Sequence, residues 1–467
     1  MSSHAIDLVA VDKHPFREIL RLAVPLILSM TGLVFMQFID GIFLAWYSPV
    51  SLAAMGFAGM SNYLIVSLFL GTAAYASTLG AQYIGAGRSL RAAASTWQAV
   101  YFSLGAGVVI TVCGVYARPL MGLTHHAPDV LAEEIVYFRI MCMGGWAALL
   151  NNALSTFFSA RGDTRTLMTV QLGGFAVNAL LAYVLIFGKF GVPQMGIAGA
   201  ALAAVIAQGL CAGALATLFL GRAQFRTEFG VWGMRPFDAS LMARLVQFGL
   251  PSGFRQFVEM IGWSAFMFYL GRIDTVSLAA TTVAFRINGL AFFPVIGLAS
   301  AAAVLIGHAQ GRHMPALSAR ITKRCMVLAE AWMLLWAVAF IALPHQLFAI
   351  FGATDAGNEA MTAQIAAAGV VMLRFVAIYC ILDSCNIVYV FALQAAGDTR
   401  WTFVATIILY GGFVAALSIA DALHATMAAE WTMVTIFAMT TAAVWVARFL
   451  QGKWRTIQVI ESDIEVA

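Results

Sequence analysis

The sequence predicts an all-α integral membrane protein. It calls for twelve transmembrane helices in two six-helix bundles, related by a pseudo-twofold axis along the membrane normal. Three observations predict it: the composition, the placement of the basic residues and an internal repeat. The 467 residues are 62% hydrophobic and only 10% charged, with mean hydropathy +0.88. A soluble domain is about half apolar and a quarter charged. The surplus apolar surface does not fit inside one globular core, so it must face lipid.

Twelve apolar stretches have the length of a membrane-crossing helix. They lie near 19–46, 51–79, 92–115, 134–158, 167–188, 196–220, 244–270, 277–306, 320–343, 362–394, 402–420 and 425–449. They are rich in Gly and Ala and lack the alternation of a membrane β-barrel. The opening "MSSHAIDLVAVDKHPF" reads as a short exposed tail, and the first apolar run is too long for the core of a cleavable signal. The six cysteines fall in or beside apolar runs without CxxC spacing, so they read as small buried residues and not as metal ligands.

With the N-terminus in the cytoplasm, the inner regions hold nineteen Lys and Arg and the outer loops three. Four more, Arg139, Arg255, Arg286 and Arg374, fall within segments and complete the 26. This bias is the positive-inside pattern. It predicts an even number of helices and both termini in the cytoplasm. The basic residues therefore report topology, and a nucleic-acid partner has no support.

The repeat sets the architecture. "SARGDTR" at 159–165 returns as "QAAGDTR" at 394–400, an offset of 235 at which Arg139 also matches Arg374. "VSLAA" at 50–54 returns at 276–280, an offset of 226 at which Pro25 matches Pro251 and Gly85 matches Gly311. The expected division is a tail over 1–18, a bundle over 19–220, a connector over 221–243, a bundle over 244–450 and a tail over 451–467. Six helices per half is an even number, so both halves start on the same side of the membrane. Such parallel repeats are typical of secondary transporters. The two GDTR stretches read as hairpins, with Gly at a helix C-cap and Asp capping the next helix.

The carboxylates break this symmetry. Three acids lie well inside the apolar runs: Asp40, Glu259 and Asp383. Their counterparts in the other half are Phe266, Leu33 and Ala148. Intramembrane acids face a protein interior or a watery cavity and mark ion or proton paths. Each of these exchanges a proton, or stays ionised and holds Na⁺ with nearby oxygens. Tyr379 stands one turn before Asp383 on the same helix face, whereas Ser384 and Asn386 read as pointing elsewhere. The structural alternative is a buried ion pair. For Glu259 the candidate partners are Arg255 at i−4 and Arg286 on the next helix. His308 reads as a boundary residue.

These features resemble the MATE (multidrug and toxic compound extrusion) family, particularly its NorM-like branch. The resemblance rests on "LRLAVPLILSMTGLVFMQFIDGIFLAW", "LGAQYIGAGR", "NALLAYVLIFGKFGVPQMGIAGAALAAVIAQ", "GLPSGFRQFVEM" and "LDSCNIVYVFALQAAGDTR", in that order along nearly the whole chain. It implies export of small hydrophobic cations in antiport with H⁺ or Na⁺ by a monomer in the bacterial inner membrane, with no cofactor. It implies coupling-ion roles for Asp383, Glu259 and Tyr379 in the second half, with Na⁺ an option at Asp383/Glu259. Asp40 and Asn178 take that role in the first. Some members carry an Asp at the position of Ala182 and a Thr near Ala204, so here the first site is thinned to Asp40 and Asn178. His308 replaces the Gln expected in the second-half turn. Within the wider superfamily, a flippase or exporter of a lipid-linked or anionic amphiphile is the alternative, and it would need a basic cavity. An integral-membrane enzyme calls for a His/Asp or metal cluster that the sequence does not display.

Overall fold

A computed structural model describes residues 6, 8–123, 126–351, 359–424 and 426–461. The ends of both expected tails lie outside the described residues, as do residues 352–358. Among the described residues the chain is helical, with no strand. In the first half the long helices are α1 (Pro15–Tyr47), α2 (Pro49–Gly85), α3 (Ser89–Val115), α4 (Pro128–Met143), α5 (Gly145–Arg161), α6 (Thr164–Phe187) and α7 (Ile197–Gly221). In the second they are α8 (Ala239–Ile273), α9 (Thr275–Gly311), α10 (Pro315–Ala342), α11 (Glu359–Ala395), α12 (Thr399–Ala422) and α13 (Met427–Gln451).

Ten of these are long and apolar enough to cross a membrane by length and composition. The other two spans are disguised. The fourth is broken at Gly144 into α4 and α5, where a Cβ would meet Val205 Cγ1 at 2.3 Å. The seventh, α8, carries Arg244, Arg255, Glu259 and Arg272. The result is twelve spans, six in each half.

Local sequence sets the helix ends. Pro15, Pro49, Pro128 and Pro315 each open a helix, where the missing N–H costs nothing. Ser48 caps α2 through Ser51 N, and its repeat partner Asp274 caps α9 through Ser277 N. Gly162 at φ +78° and Gly397 at φ +95° take the left-handed turn of the two GDTR stretches. The aspartates differ. Asp163 caps α6 through Thr166 N and pairs with Arg222. Asp398 makes no cap bond; Arg448 grips both its oxygens, at 2.7 and 3.1 Å. The capping expectation thus holds for the first copy only.

The halves meet reciprocally. α1 packs on α9, α8 packs on α2, and α2 packs on α9 across the axis. A Cβ on Gly85 would lie 2.3 Å from His308 O, and a Cβ on Gly311 would lie 2.0 Å from Gln82 O. Gly85 and Gly311 are repeat partners, and so are Gln82 and His308. Such an exchange of contacts is the mark of a twofold relation. Both contacts join the C-terminal ends of equivalent helices. The halves therefore run in the same direction, and the axis follows the helices.

This end of the molecule also carries the termini and is sealed. α2 buries every residue from Leu79 to Gly85. His308 is 2% exposed and bonds Ala160 O of the other half at 2.7 Å, so it belongs to the seam between the halves and not to a solvated boundary. Midway along, Gly249 and Gly253 of α8 approach Thr72 O and Leu68 O of α2, and Gly297 of α9 meets Ile27 of α1. This is small-residue packing, suited to helices that gain little from hydrophobic association inside lipid. Beyond these crossings α2 exposes Phe57, Met60 and Tyr63. Tyr63 still touches the other half there, accepting from Gln256 Nε2 of α8 at 3.2 Å.

Both tails strap the sealed end. Ile6 lies against Gly162 in the first half, while Asp12 pairs with Arg320 of α10 in the second. Val459 and Ile457 lie against Gly397 in the second half. Glu461 receives the Tyr83 hydroxyl at 2.6 Å and sits among Arg88, Arg91 and Arg244 at 3.5–3.9 Å. Burial alone would raise the Glu461 carboxyl. The Tyr83 hydroxyl, Arg244 and Arg91 outweigh it and hold the group below its ordinary value of 4.5.

Two predictions follow from these contacts. Gly311→Val must push backbone apart at the seam, and overpacking of this kind costs about 1–3 kcal/mol. The purified variant should melt below wild type, whereas Gly411→Val, at a position with open space around it, should not. Second, a carboxyl depressed in the folded state adds stability above its unfolded value and loses it as pH falls. Wild type should melt above Glu461→Gln at neutral pH, and the gap should close as pH drops below 4.5.

Candidate functional site

In the first half α1 delivers Asp40 and α6 delivers Asn178, two helices packed along their length. Asp40 is 9% exposed and Asn178 is fully buried. The Asn178 amide donates to Asp40 Oδ1 at 2.9 Å and Oδ2 at 3.0 Å. Asn178 Oδ1 is buried without a partner. A carboxylate held by a neutral amide, with an unpartnered carbonyl oxygen on the same side chain, is an arrangement that suits a proton or a small cation. Ala182 is fully buried one turn further along α6, among Leu44, Ile186 and Ile197, and offers no oxygen. Tyr137 of α4 lies within electrostatic reach of Asp40.

In the second half α11 delivers Asp383, which is 8% exposed. The Tyr379 hydroxyl donates to its Oδ2 at 3.3 Å. Asn386, three residues on, also faces this carboxyl, contrary to the expectation that it points elsewhere. Asn386 Oδ1 is itself buried without a partner. Tyr410 of α12 and Glu259 of α8 stand within electrostatic reach. Trp263 packs edge-on against Tyr379, with ring centroids 6.2 Å apart. Asp383 has no basic partner among the described residues, and neither has Asp40.

Glu259 is different. Arg255, one turn earlier on α8, makes a direct ion pair with it. Arg286 takes no part in this pair and is exposed. The choice left open between the two arginines therefore falls to Arg255. The structure also adds a fourth intramembrane acid to the three expected. Glu330 of α10 accepts from Ser384 Oγ at 2.8 Å. Sequence reading leaves out Glu330, Tyr137 and Tyr410. Glu330 interrupts the ninth apolar run and is visible there. The two tyrosines are unmarked, because tyrosine is an ordinary residue of membrane helices. Among the described residues no cluster of three or more His, Cys, Asp or Glu could hold a metal.

A comparison with protein families resolves what this scaffold is. The MatE family model matches residues 25–184 and again 251–420. The chain belongs to the MatE family. The two matches begin 226 residues apart, the displacement that relates Gly85 to Gly311. This MATE chain is 30% identical over 414 residues to the multidrug resistance protein NorM of Burkholderia vietnamiensis, covering 88% of this chain and 86% of that one. It is 25% identical over 408 residues to the multidrug resistance protein PmpM of Pseudomonas aeruginosa, covering 85% and 82%. Its fold matches an outward-facing multidrug resistance MATE family transporter with TM-score 0.86 at 20% identity, covering 97% of this chain and 100% of that chain. It also matches a MATE in complex with MaL6, with TM-score 0.83 at 20% identity, covering 95% and 98%. The chain is a multi-pass membrane protein of a transporter family.

The ion pair yields a prediction. Removing one member of a buried pair leaves an uncompensated charge and costs about 3–5 kcal/mol. Arg255 is the more buried member, with its side chain 11% exposed against 28% for Glu259. Its charge is also the harder to neutralise. Glu259→Gln should therefore lower the melting temperature more than Arg255→Gln does. The double variant Arg255→Gln/Glu259→Gln should recover much of the loss.

Proposed function

We propose that this chain is a secondary multidrug exporter that moves small hydrophobic organic cations out of the cell in exchange for inward H⁺. The observation that carries this reading is a pair of buried carboxylates, Asp40 and Asp383. There is one in each half, each held by neutral partners only. The names of the relatives support the substrate class. The positive-inside bias supports cytoplasmic termini and a place in a bacterial inner membrane. The lobes are residues 19–220 and 244–450, and the working unit is the monomer.

In this reading an ionised Asp383 attracts the cation when the cleft opens to the cytoplasm. After the lobes rock to the opposite opening, a proton entering from outside neutralises Asp383. Tyr379 and Asn386 keep the carboxyl oriented through the change. The attraction is then gone and the drug leaves. Asp40 and Asn178 act as the corresponding proton site of the first lobe. Glu259 is neutralised internally by Arg255, so it supports Asp383 without presenting a free charge. H⁺ is preferred to Na⁺ as the coupling ion. Na⁺ takes a cage of several oxygens, and Ala182 and Ala204 supply methyl groups where such a cage would need them.

The test is uptake of ethidium into inside-out proteoliposomes, with ΔpH and ΔNa⁺ imposed separately. Wild type should respond to ΔpH and not to ΔNa⁺. Asp383→Asn mimics the protonated form and cannot release its proton. It should insert and fold as wild type does, yet show no accumulation against a gradient. Accumulation by Asp383→Asn that still follows ΔpH would remove Asp383 from the coupling step. A response to ΔNa⁺ alone would reassign the ion.

A further inference from the structure

α10 packs along α9 and α11 and buries Ala329, Met333 and Phe340 there. Its other side is apolar and open: Val327, Leu334, Val338 and Ile341 are 49–62% exposed. A continuous apolar stripe of this length, left open on a membrane span, faces lipid. Glu330 stands at the edge of the stripe, with Val327 at i−3 and Leu334 at i+4 on its own face. It is half-buried. It lies about 22 Å along a helix of about 42 Å, and so near mid-membrane. α10 begins at Pro315 and α3 at Ser89, the repeat offset of 226, so the counterpart of Glu330 is Leu104, which is 47% exposed. Where one half shows lipid a leucine, the other shows it a carboxyl.

The carboxyl has neutral neighbours only. Ser384 Oγ lies 2.8 Å from Glu330 Oε1 and 2.7 Å from Ile381 O. A hydroxyl has one hydrogen, which serves one of the two. Given to Ile381 O, it leaves the Glu330 bond to be made by a carboxyl proton. Given to Glu330, it serves a carboxylate, with Cys385 Sγ as a second donor at 3.7 Å. The same geometry therefore holds the group protonated or ionised. Oε2 has no hydrogen-bond partner among the described residues, yet it is not enclosed. No Lys or Arg among the described residues pairs with Glu330. Tyr389, one turn beyond Cys385, is within electrostatic reach and packs on Phe449 of α13, with ring centroids 5.2 Å apart. It supplies an aromatic ring beside which a cation is favoured.

We propose that Glu330 is a lipid-side binding site for a lipophilic amine. The amine dissolves in the bilayer as the neutral base and takes the carboxyl proton. It stays as an ammonium paired with the carboxylate. The O–H bond of Glu330 breaks, an N–H bond forms, and no net charge enters the membrane. A lone carboxylate or a lone ammonium is costly at this depth, and the pair offsets both costs. Phospholipid amines do not fit, because the headgroups lie about 15 Å away, half the hydrocarbon core. The exporter reading gives Glu330 no role, so this site goes beyond it and is scored by binding without transport.

Dicyclohexylcarbodiimide reports a protonated carboxyl in apolar surroundings. The carboxyl proton moves to a carbodiimide nitrogen and the oxygen adds to the central carbon. With the full-length protein in phosphatidylcholine nanodiscs, the adduct at Glu330 is read by peptide mass spectrometry. N,N-dimethyldodecylamine should slow labelling about tenfold, the effect of one charge-assisted contact, and dodecanol should not. A diazirine analogue of the amine should crosslink to the peptide around Cys385 and Tyr389, and Glu330→Gln should cut that crosslink about tenfold. Absence of the adduct overturns the assignment, as does equally fast labelling by a water-soluble carbodiimide. Equal protection by dodecanol reduces the site to an apolar groove and overturns it too. Protection by added phosphatidylethanolamine equal to that by the amine, or a crosslink unchanged in Glu330→Gln, has the same consequence.

Discussion

The contact on which the rest of the structure depends is the backbone approach of α2 and α9 at Gly85 and Gly311. Helices in lipid gain little from hiding apolar surface from each other, because the lipid is as apolar as they are. They associate where small residues let backbones touch. Placing one glycine on each copy of the same helix makes the contact reciprocal. Further along, α2 still meets the other lobe through Leu68 O at Gly253 and Tyr63 at Gln256. The tails then act on the same seam, since Glu461 ties Arg88 and Arg91 of one lobe to Arg244 of the other. In the exporter reading this seam must open for access to alternate. The glycine contacts are strong in geometry but short, and the ion pairs of Glu461 lie where water can replace them.

Upon this symmetric scaffold the charges are set asymmetrically. One lobe has an Asp–Asn pair between its first and fifth spans. The other has an Asp with Tyr and Asn partners on one helix, and an Arg–Glu pair on another. The scaffold is the part that must obey the twofold, because each seam contact involves both copies. A site inside one lobe has no such obligation. The two clusters are free to differ in residue and partner.

The fold was legible in the sequence because lipid imposes a coarse rule, a long apolar run for each span, and because the repeat matched residues that touch. Gly85 and Gly311 are matched because each copy has the same contact to make. The carboxylates were legible for the opposite reason: an acid in an apolar run stands out. Glu330 is equally visible within "CMVLAEAWMLLWAV". Tyr410 and Tyr137 were not legible, since only tertiary packing brings them beside the acids. Asn178 was found by resemblance alone. The clamp at Glu461 was hidden because a lone acid in a short polar tail has no periodicity. Its partners Tyr83, Arg88, Arg91 and Arg244 are more than two hundred residues away.

The Arg255–Glu259 pair shows how a local change can alter a site without altering the fold. At i, i+4 on one helix, the pair needs no tertiary rearrangement to form. It leaves the Glu259 carboxylate in place as a hydrogen-bond acceptor but cancels its charge, so the second lobe keeps Asp383 as its one uncompensated acid among those expected. The pair also leaves Arg255 Nε buried without a partner, within electrostatic reach of Tyr410. A lone positive charge there would repel any cation approaching Asp383. Paired with Glu259 it does not. The pair therefore lets α8 hold an arginine at membrane depth while Asp383 keeps neutral partners only.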